Sequence, residues 1–109
     1  MRYCIDIDGT ICRTVGSDYG SAIPLLHRID RINRLFDEGH EIVYFTARGT
    51  ETGVDQRDLT EMQLQRWGAR YTRLILGKPA ADVYLDDKAL SDKEFFGDGL
   101  GPQHVHSAA

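Results

Sequence analysis

The chain has 109 residues, 28% of them charged and 41% hydrophobic, with a net charge of -4 at neutral pH. That length supports one domain with a single continuous core. The acidic balance, with a pI near 5.4, excludes a nucleic-acid binder that relies on a general basic surface, but leaves room for a small anionic substrate held by a few local cations.

No apolar run approaches the roughly 20 residues that cross a bilayer, and the N-terminus enters an apolar stretch directly, without a signal-peptide pattern. The two cysteines, Cys4 and Cys12, fit a reduced cytoplasmic protein better than a disulfide scaffold. Cys4 reads as a small core residue. Cys12 has no His or Lys beside it in sequence to activate its thiol.

Tyr3 to Asp8 is predicted as the first strand, apolar until it ends in Asp6-Ile7-Asp8-Gly9-Thr10. Near-continuous apolar character suits a strand covered on both faces, as in a parallel sheet. Carboxylates at the end of a buried strand are expensive to desolvate unpaired, so they need a partner. A divalent cation is the simplest candidate, although Asp-Gly is also a common turn dipeptide. Gly9 to Ala22 reads as a loop, longer than a typical βα connection. It is placed to act as a flap from which Arg13, Ser17, Asp18 and Tyr19 could reach a substrate.

Pro24 suits a first helical turn. Leu25, Ile29, Ile32 and Phe36 recur at helical spacing, and Gly39 is the expected C-cap. Glu41 to Thr46 is a β-branched and aromatic strand ending in the polar turn Thr46-Ala47-Arg48-Gly49. After a Gly/Thr-rich loop, Asp55 is expected to cap a helix from about Gln56 to Trp67, with Leu59, Met62 and Trp67 inward and Gly68 closing it. Tyr71 to Leu76 forms a third strand, broken by Gly77-Lys78-Pro79, and Val83 to Asp87 a fourth, again ending in carboxylates. Leu90 to Phe96 is a last amphipathic helix, and residues 97–109 read as a poorly ordered tail. His104 and His106 in that tail read as solvated residues rather than metal ligands.

Alternating strands and helices predict an α/β fold, a three-layer Rossmann-like sandwich with a mostly parallel sheet. In such sheets ligands bind beyond the carboxyl ends of the strands. Asp6 and Asp8, Thr46, and Asp86 with Asp87 stand at those ends, and Lys78 stands just before the last strand.

This order of polar groups resembles the four motifs of the haloacid dehalogenase superfamily of phosphohydrolases, matched at Asp6 to Thr10, at Thr46, at Lys78 and at Asp86-Asp87. The resemblance covers residues 1–96. It implies that Asp6 is a nucleophile forming an aspartyl-phosphate, and that Asp8 protonates the leaving group and then activates water. It also implies that Thr46 and Lys78 hold the transferring phosphoryl group. Mg²⁺ would be bound by Asp6, by the backbone carbonyl of Asp8 and by Asp86, with Asp87 a further ligand through water or an orienting group. A strict strand would put Asp6 and Asp8 on one face, and Gly9 lets the chain curl so that Asp8 approaches the leaving group. Taken singly, Thr46 also reads as a strand end, Lys78 as a loop lysine, and Asp86 and Asp87 as a turn cap; jointly they favour catalysis.

Gly9 to Ile23 and Lys78 to Tyr84 are too short for a cap domain. A capless type is expected, with a site that is open or covered by a second subunit. Gly9, Thr10, Arg13, Ala47 and Arg48 are the expected substrate-binding residues, with Arg57 a further candidate. The 46–49 turn and the short capless format resemble small phosphatases of surface-polysaccharide or sugar-phosphate pathways. The expected activity is thus hydrolysis of a small phosphorylated metabolite such as a sugar phosphate, with no membrane or nucleic-acid partner. A nucleotide or nucleic-acid end phosphatase is a competing enzyme. A signalling receiver domain is a non-enzymatic one, although its acidic pair, lone Asp, Thr and Lys come in a different order.

Overall fold

Residues 1–99 of the chain, those that the computed structural model describes, alternate between strands and helices. In chain order the elements are β1 (Arg2–Asp6), β2 (Cys12–Arg13), β3 (Ile23–Pro24), α1 (Leu26–Asp37), β4 (Glu41–Thr46), α2 (Arg57–Arg66), β5 (Arg73–Leu76) and α3 (Asp92–Phe96). A three-stranded parallel sheet runs in the order β1-β4-β5, and β2 and β3 form a small antiparallel pair beside it. Among the described residues no helix is long and apolar enough to cross a membrane.

β4 takes the centre of the sheet, as its buried run Ile42-Val43-Tyr44 suits it to do. The register sets Ile5 opposite Tyr44 and Tyr44 opposite Leu74. With Ile42 these residues share one face. There they form a single apolar cluster with Ile7 and Ile11, with Ile29 and Ile32 of α1, and with Leu64 of α2. Phe95 and Phe96 of α3 pack against its margin.

The three helices thus serve one face of the sheet. The other face keeps Cys4 exposed and Phe45 half-buried, and Ile75 is 37% exposed. Val43 is buried on that face. The described residues thus form a mixed α/β fold around a three-stranded parallel sheet.

The predicted strand at Val83 to Asp87 is irregular, and residues 81–90 are all exposed. An apolar pattern alone does not make a strand, because a strand also needs ladder hydrogen bonds. Here local contacts replace them: the Tyr84 hydroxyl donates to the Pro79 carbonyl at 2.5 Å, and the Lys88 N–H donates to Asp86 Oδ1 at 2.9 Å. Among the described residues one edge of β1 is consequently unpaired. It borders a cavity of about 1160 Å³ whose lining includes Asp6, Lys78, Tyr84, Leu85 and Asp86.

Several smaller expectations shift. Pro24 belongs to β3 rather than to the first helical turn, and α1 begins two residues later. The buried side of α2 is Thr60, Gln63 and Leu64, whereas Met62 is exposed. Asp55 does act at the start of α2, accepting from the Arg57 N–H at 2.9 Å, and Gly39 and Gly68 follow the helix ends as expected. α3 carries a full capping box, with Ser91 and Glu94 each bonding the other's backbone N–H.

Residues 97–99, expected in the tail, are tied to the body. Asp98 accepts from Arg28 Nε at 2.7 Å and from Nη2 at 2.8 Å. Arg28 is 1% exposed inside the apolar stripe of α1; it also donates to Asp92 of α3 and to the Thr10 carbonyl, and lies 4.5 Å over the Phe96 ring. His104 and His106 lie outside the described residues.

Candidate active site

β1 ends at Asp6, and the chain turns immediately. The Thr10 and Ile11 N–H groups both donate to the Ile7 carbonyl, and the Gly9 N–H donates to the Cys12 carbonyl at 2.9 Å. Gly9 takes a φ of 84°, a conformation that side chains with a Cβ rarely adopt. The turn sends the Asp6 and Asp8 carboxylates towards different neighbours.

Asp6 meets Lys78. The Lys78 N–H donates to the Thr46 carbonyl at 3.1 Å, so the chain leaving β5 is tied to the end of β4. Its Nζ then reaches 3.4 Å from Asp6 Oδ1 and lies over the rings of Phe45 and Tyr84 at 4.5 and 4.2 Å. Burial raises the Asp6 carboxyl above its ordinary 3.8, while Lys78 and the Ile7 N–H pull it back only in part.

Asp8 meets Arg48. The guanidinium straddles the carboxylate, Nε to Oδ2 and Nη2 to Oδ1, both at 2.9 Å. Thr14 Oγ1 donates to Oδ1 at 2.5 Å. Burial pushes the Asp8 carboxyl up, but the hydrogen bonds from Arg48 and Thr14 outweigh it and hold the group below 3.8. Arg48 has a fully buried side chain, and its Nη1 donates to Thr60 Oγ1 at 3.2 Å and to Gln63 Oε1 at 2.5 Å. The Tyr19 ring covers it at 4.8 Å, and the Tyr19 carbonyl accepts from Gln63 Nε2 at 2.6 Å. The polar inner side of α2 is explained by this: Thr60 and Gln63 face inward because they hold Arg48.

The predicted site residues therefore separate into groups. Asp6, Asp8 and Lys78 gather at the carboxyl end of the sheet. Thr46 is there too, but 1% exposed, its Oγ1 accepting from the Arg48 N–H at 3.1 Å, which is the turn-ending role. Gly9 and Thr10 form the turn, and Ala47 is half-buried beside Arg48. Arg48, expected on the substrate, is instead engaged inside the protein, and Arg13 is exposed on β2. Arg57 donates to the Leu74 carbonyl at 3.1 Å. The loop that reads as a flap is held down at Tyr19. Cys12 is inert by burial, which pushes its thiol up to about 11.

Asp86 and Asp87 are exposed. The Lys88 N–H, and then Asp87, hold Asp86 below its ordinary 3.8, so it caps its own turn. Among the described residues no three His, Cys, Asp or Glu side chains come together as a metal cage. Asp86 nevertheless lines the same cavity as Asp6 and Lys78.

No protein-family model and no curated protein matches the chain. Among solved structures, the crystal structure of an MCSG target from Vibrio cholerae is similar, with a TM-score of 0.80 and 26% identity over 97% of this chain and 94% of that one. The α/β fold is thus shared with that protein over nearly its whole length.

Proposed function

We propose that the chain is a Mg²⁺-dependent phosphomonoesterase of the haloacid dehalogenase type, acting on a small phosphorylated metabolite such as a sugar phosphate. The observation that carries this reading is the pairing of Asp6 with Lys78. A carboxylate that ends one strand lies 3.4 Å from an ammonium delivered by the exit of another, beside a large cavity. A Rossmann-like sandwich is the fold this reading implies.

The donor set fits Mg²⁺ in part. That ion takes one or two carboxylates and fills its remaining positions with water and phosphate oxygens. By the resemblance, the Asp6 side chain and the Asp8 backbone carbonyl would supply two donors, and Asp86 lines the cavity that Asp6 also lines. The Asp8 carboxylate is already engaged by Arg48 and is not among them. When bound, the cation would neutralise charge on Asp6 and on the transferring phosphoryl group.

Asp6 attacks phosphorus in line with the leaving oxygen; the Asp6 O–P bond forms as the ester P–O bond breaks. The leaving oxygen takes its proton from the minor protonated form of Asp8, since Arg48 and Thr14 hold that carboxyl below 3.8. In the second half Asp8 takes a proton from the water that attacks phosphorus, which releases phosphate and restores Asp6. Its depressed pKa suits the second half better than the first. Lys78 offsets the negative charge on Asp6 and on the phosphoryl oxygens.

The test is phosphate release from a panel of sugar phosphates, nucleotides and p-nitrophenyl phosphate, with Mg²⁺ or with EDTA. Turnover that needs Mg²⁺ and disappears in Asp6→Asn is expected. Turnover in that variant removes Asp6 as nucleophile. A phospho-Asp6 that lasts for minutes turns the reading to a phospho-acceptor module.

A further inference from the structure

Asp8 has two oxygens in unequal surroundings. Oδ1 is close to Thr14 Oγ1 at 2.5 Å, Arg48 Nη2 at 2.9 Å and Cys12 Sγ at 3.6 Å, whereas Oδ2 receives Arg48 Nε alone at 2.9 Å. A carboxylate oxygen has two lone pairs, so Oδ1 is saturated and Oδ2 keeps one pair unused by these contacts. Arg48 itself has little freedom, because four of its five N–H groups are directed at Asp8, Thr60 and Gln63.

We infer that Arg48 is a positioning residue for Asp8: its fork, with Thr14, anchors Oδ1 and presents Oδ2 as the oxygen that exchanges a proton with substrate and water. This rests on the phosphatase reading of the same site. Arg48 touches no substrate. A guanidinium that spans both oxygens fixes the carboxylate plane, which a single point contact cannot do. Lysine at this position keeps the charge and loses the plane. Tyr19 and Gln63 act one step further out, closing over Arg48 and keeping its fork in register with Asp8.

The experiment measures kcat and KM for p-nitrophenyl phosphate with Mg²⁺, using the full chain and Arg48→Lys, Thr14→Val, Asp8→Asn and the double variant Arg48→Lys with Asp8→Asn. Circular dichroism confirms that each is folded. Thr14→Val alters a half-buried residue that donates to the same Asp8 oxygen, so it carries the test if Arg48→Lys does not fold.

Asp8→Asn should lose roughly 10²–10⁴-fold in kcat. Arg48→Lys should lose about tenfold or more, with KM unchanged, and Thr14→Val a smaller part of the same effect. In the Asp8→Asn background the Arg48→Lys change should cost less than about twofold, because residues acting through one another are not additive.

A raised KM with kcat intact in Arg48→Lys would make Arg48 a substrate ligand and overturn the inference. Full multiplicative loss in the double variant would do the same, as would wild-type kinetics in both single variants. A wild type that neither releases phosphate nor labels on Asp6 overturns the phosphatase reading and this inference with it. An active wild type with any of the first three results overturns this inference alone.

Discussion

Replacing Asp98 with alanine tests whether the chain beyond α3 belongs to the folded body. In the structure Asp98 presents both carboxylate oxygens to the Nε and Nη2 of Arg28, at 2.7 and 2.8 Å. The Arg28 side chain is 1% exposed and that of Asp98 17%. Removing one partner of a buried ion pair costs about 3–5 kcal/mol, because the other charge stays buried and unpaired. Two features reduce that figure here. Asp92 still accepts from Nη1 at 2.8 Å, and water reaches the partly open Asp98 position. The expected loss is therefore about 2–4 kcal/mol, out of a total of about 5–15 for a domain. Urea unfolding followed by circular dichroism should show the midpoint falling by roughly 1.3–2.7 M, taking a slope near 1.5 kcal/mol/M. Arg28→Met combined with Asp98→Ala should cost less than the sum of the single changes by about 1 kcal/mol or more, since the double variant leaves no buried guanidinium unpaired and only the partly exposed Asp92 loses its partner. An Asp98→Ala loss below about 0.5 kcal/mol, the range of ordinary surface changes, would refute the docking of residues 97–99.

Three other outcomes follow from buried groups and one tight turn. Tyr44 is fully buried, its hydroxyl has no partner among the described residues, and burial alone raises its pKa. Tyr44→Phe should therefore raise stability by on the order of 1 kcal/mol, several degrees in Tm, and a drop in Tm would mean that the hydroxyl is bonded. Asp6→Asn, measured with EDTA, should be more stable than the wild type at neutral pH. The folded-state pKa of Asp6 is raised above 3.8, so the wild type gains stability as pH falls through that value, and the advantage of the variant shrinks; a gap that grows on acidification would refute the sign. At Gly49, φ is 79° and an added Cβ would collide with the Val54 carbonyl, so Gly49→Ala should lower Tm and increase proteolysis within residues 49–56, and an unchanged cleavage pattern would count against it.

The sequence made some of this legible and concealed the rest for identifiable reasons. β4, α1 and α2 were visible because local periodicity and terminal glycines specify them. The Ser91-Asp92-Lys93-Glu94 capping box was also there to be read, and it marks the start of α3. Arg28 carried a signal as well: it stands four residues before Ile32, inside the apolar stripe of its helix, where an unpaired charge has no place. The link from Asp8 to Arg48 carried none, because forty residues separate the two and nothing local distinguishes a buried arginine from one that binds substrate. The α2 face misled for the same reason. Leu59 and Met62 look like core, but the long-range demand of Arg48 for acceptors turns Thr60 and Gln63 inward. Val83 to Asp87 has the composition of a strand, and composition does not supply the neighbouring backbone that a strand requires.

The two carboxylates that end β1 are best understood through the cations they do not share. A single cation between them would leave each anion with the same partner and little reason to differ. Here Asp6 receives an ammonium, a point charge 3.4 Å from Oδ1 that lies over the Phe45 and Tyr84 rings. Asp8 receives a planar fork packed under Tyr19 and braced by α2, which cannot swing at all. Asp6 thus faces a point charge and Asp8 a planar fork that fixes its carboxylate plane. Exchanging Lys78 for arginine would replace the point charge with a second fork and keep the charge. On the phosphatase reading proposed above, that change should lower kcat for p-nitrophenyl phosphate even with the ion pair intact.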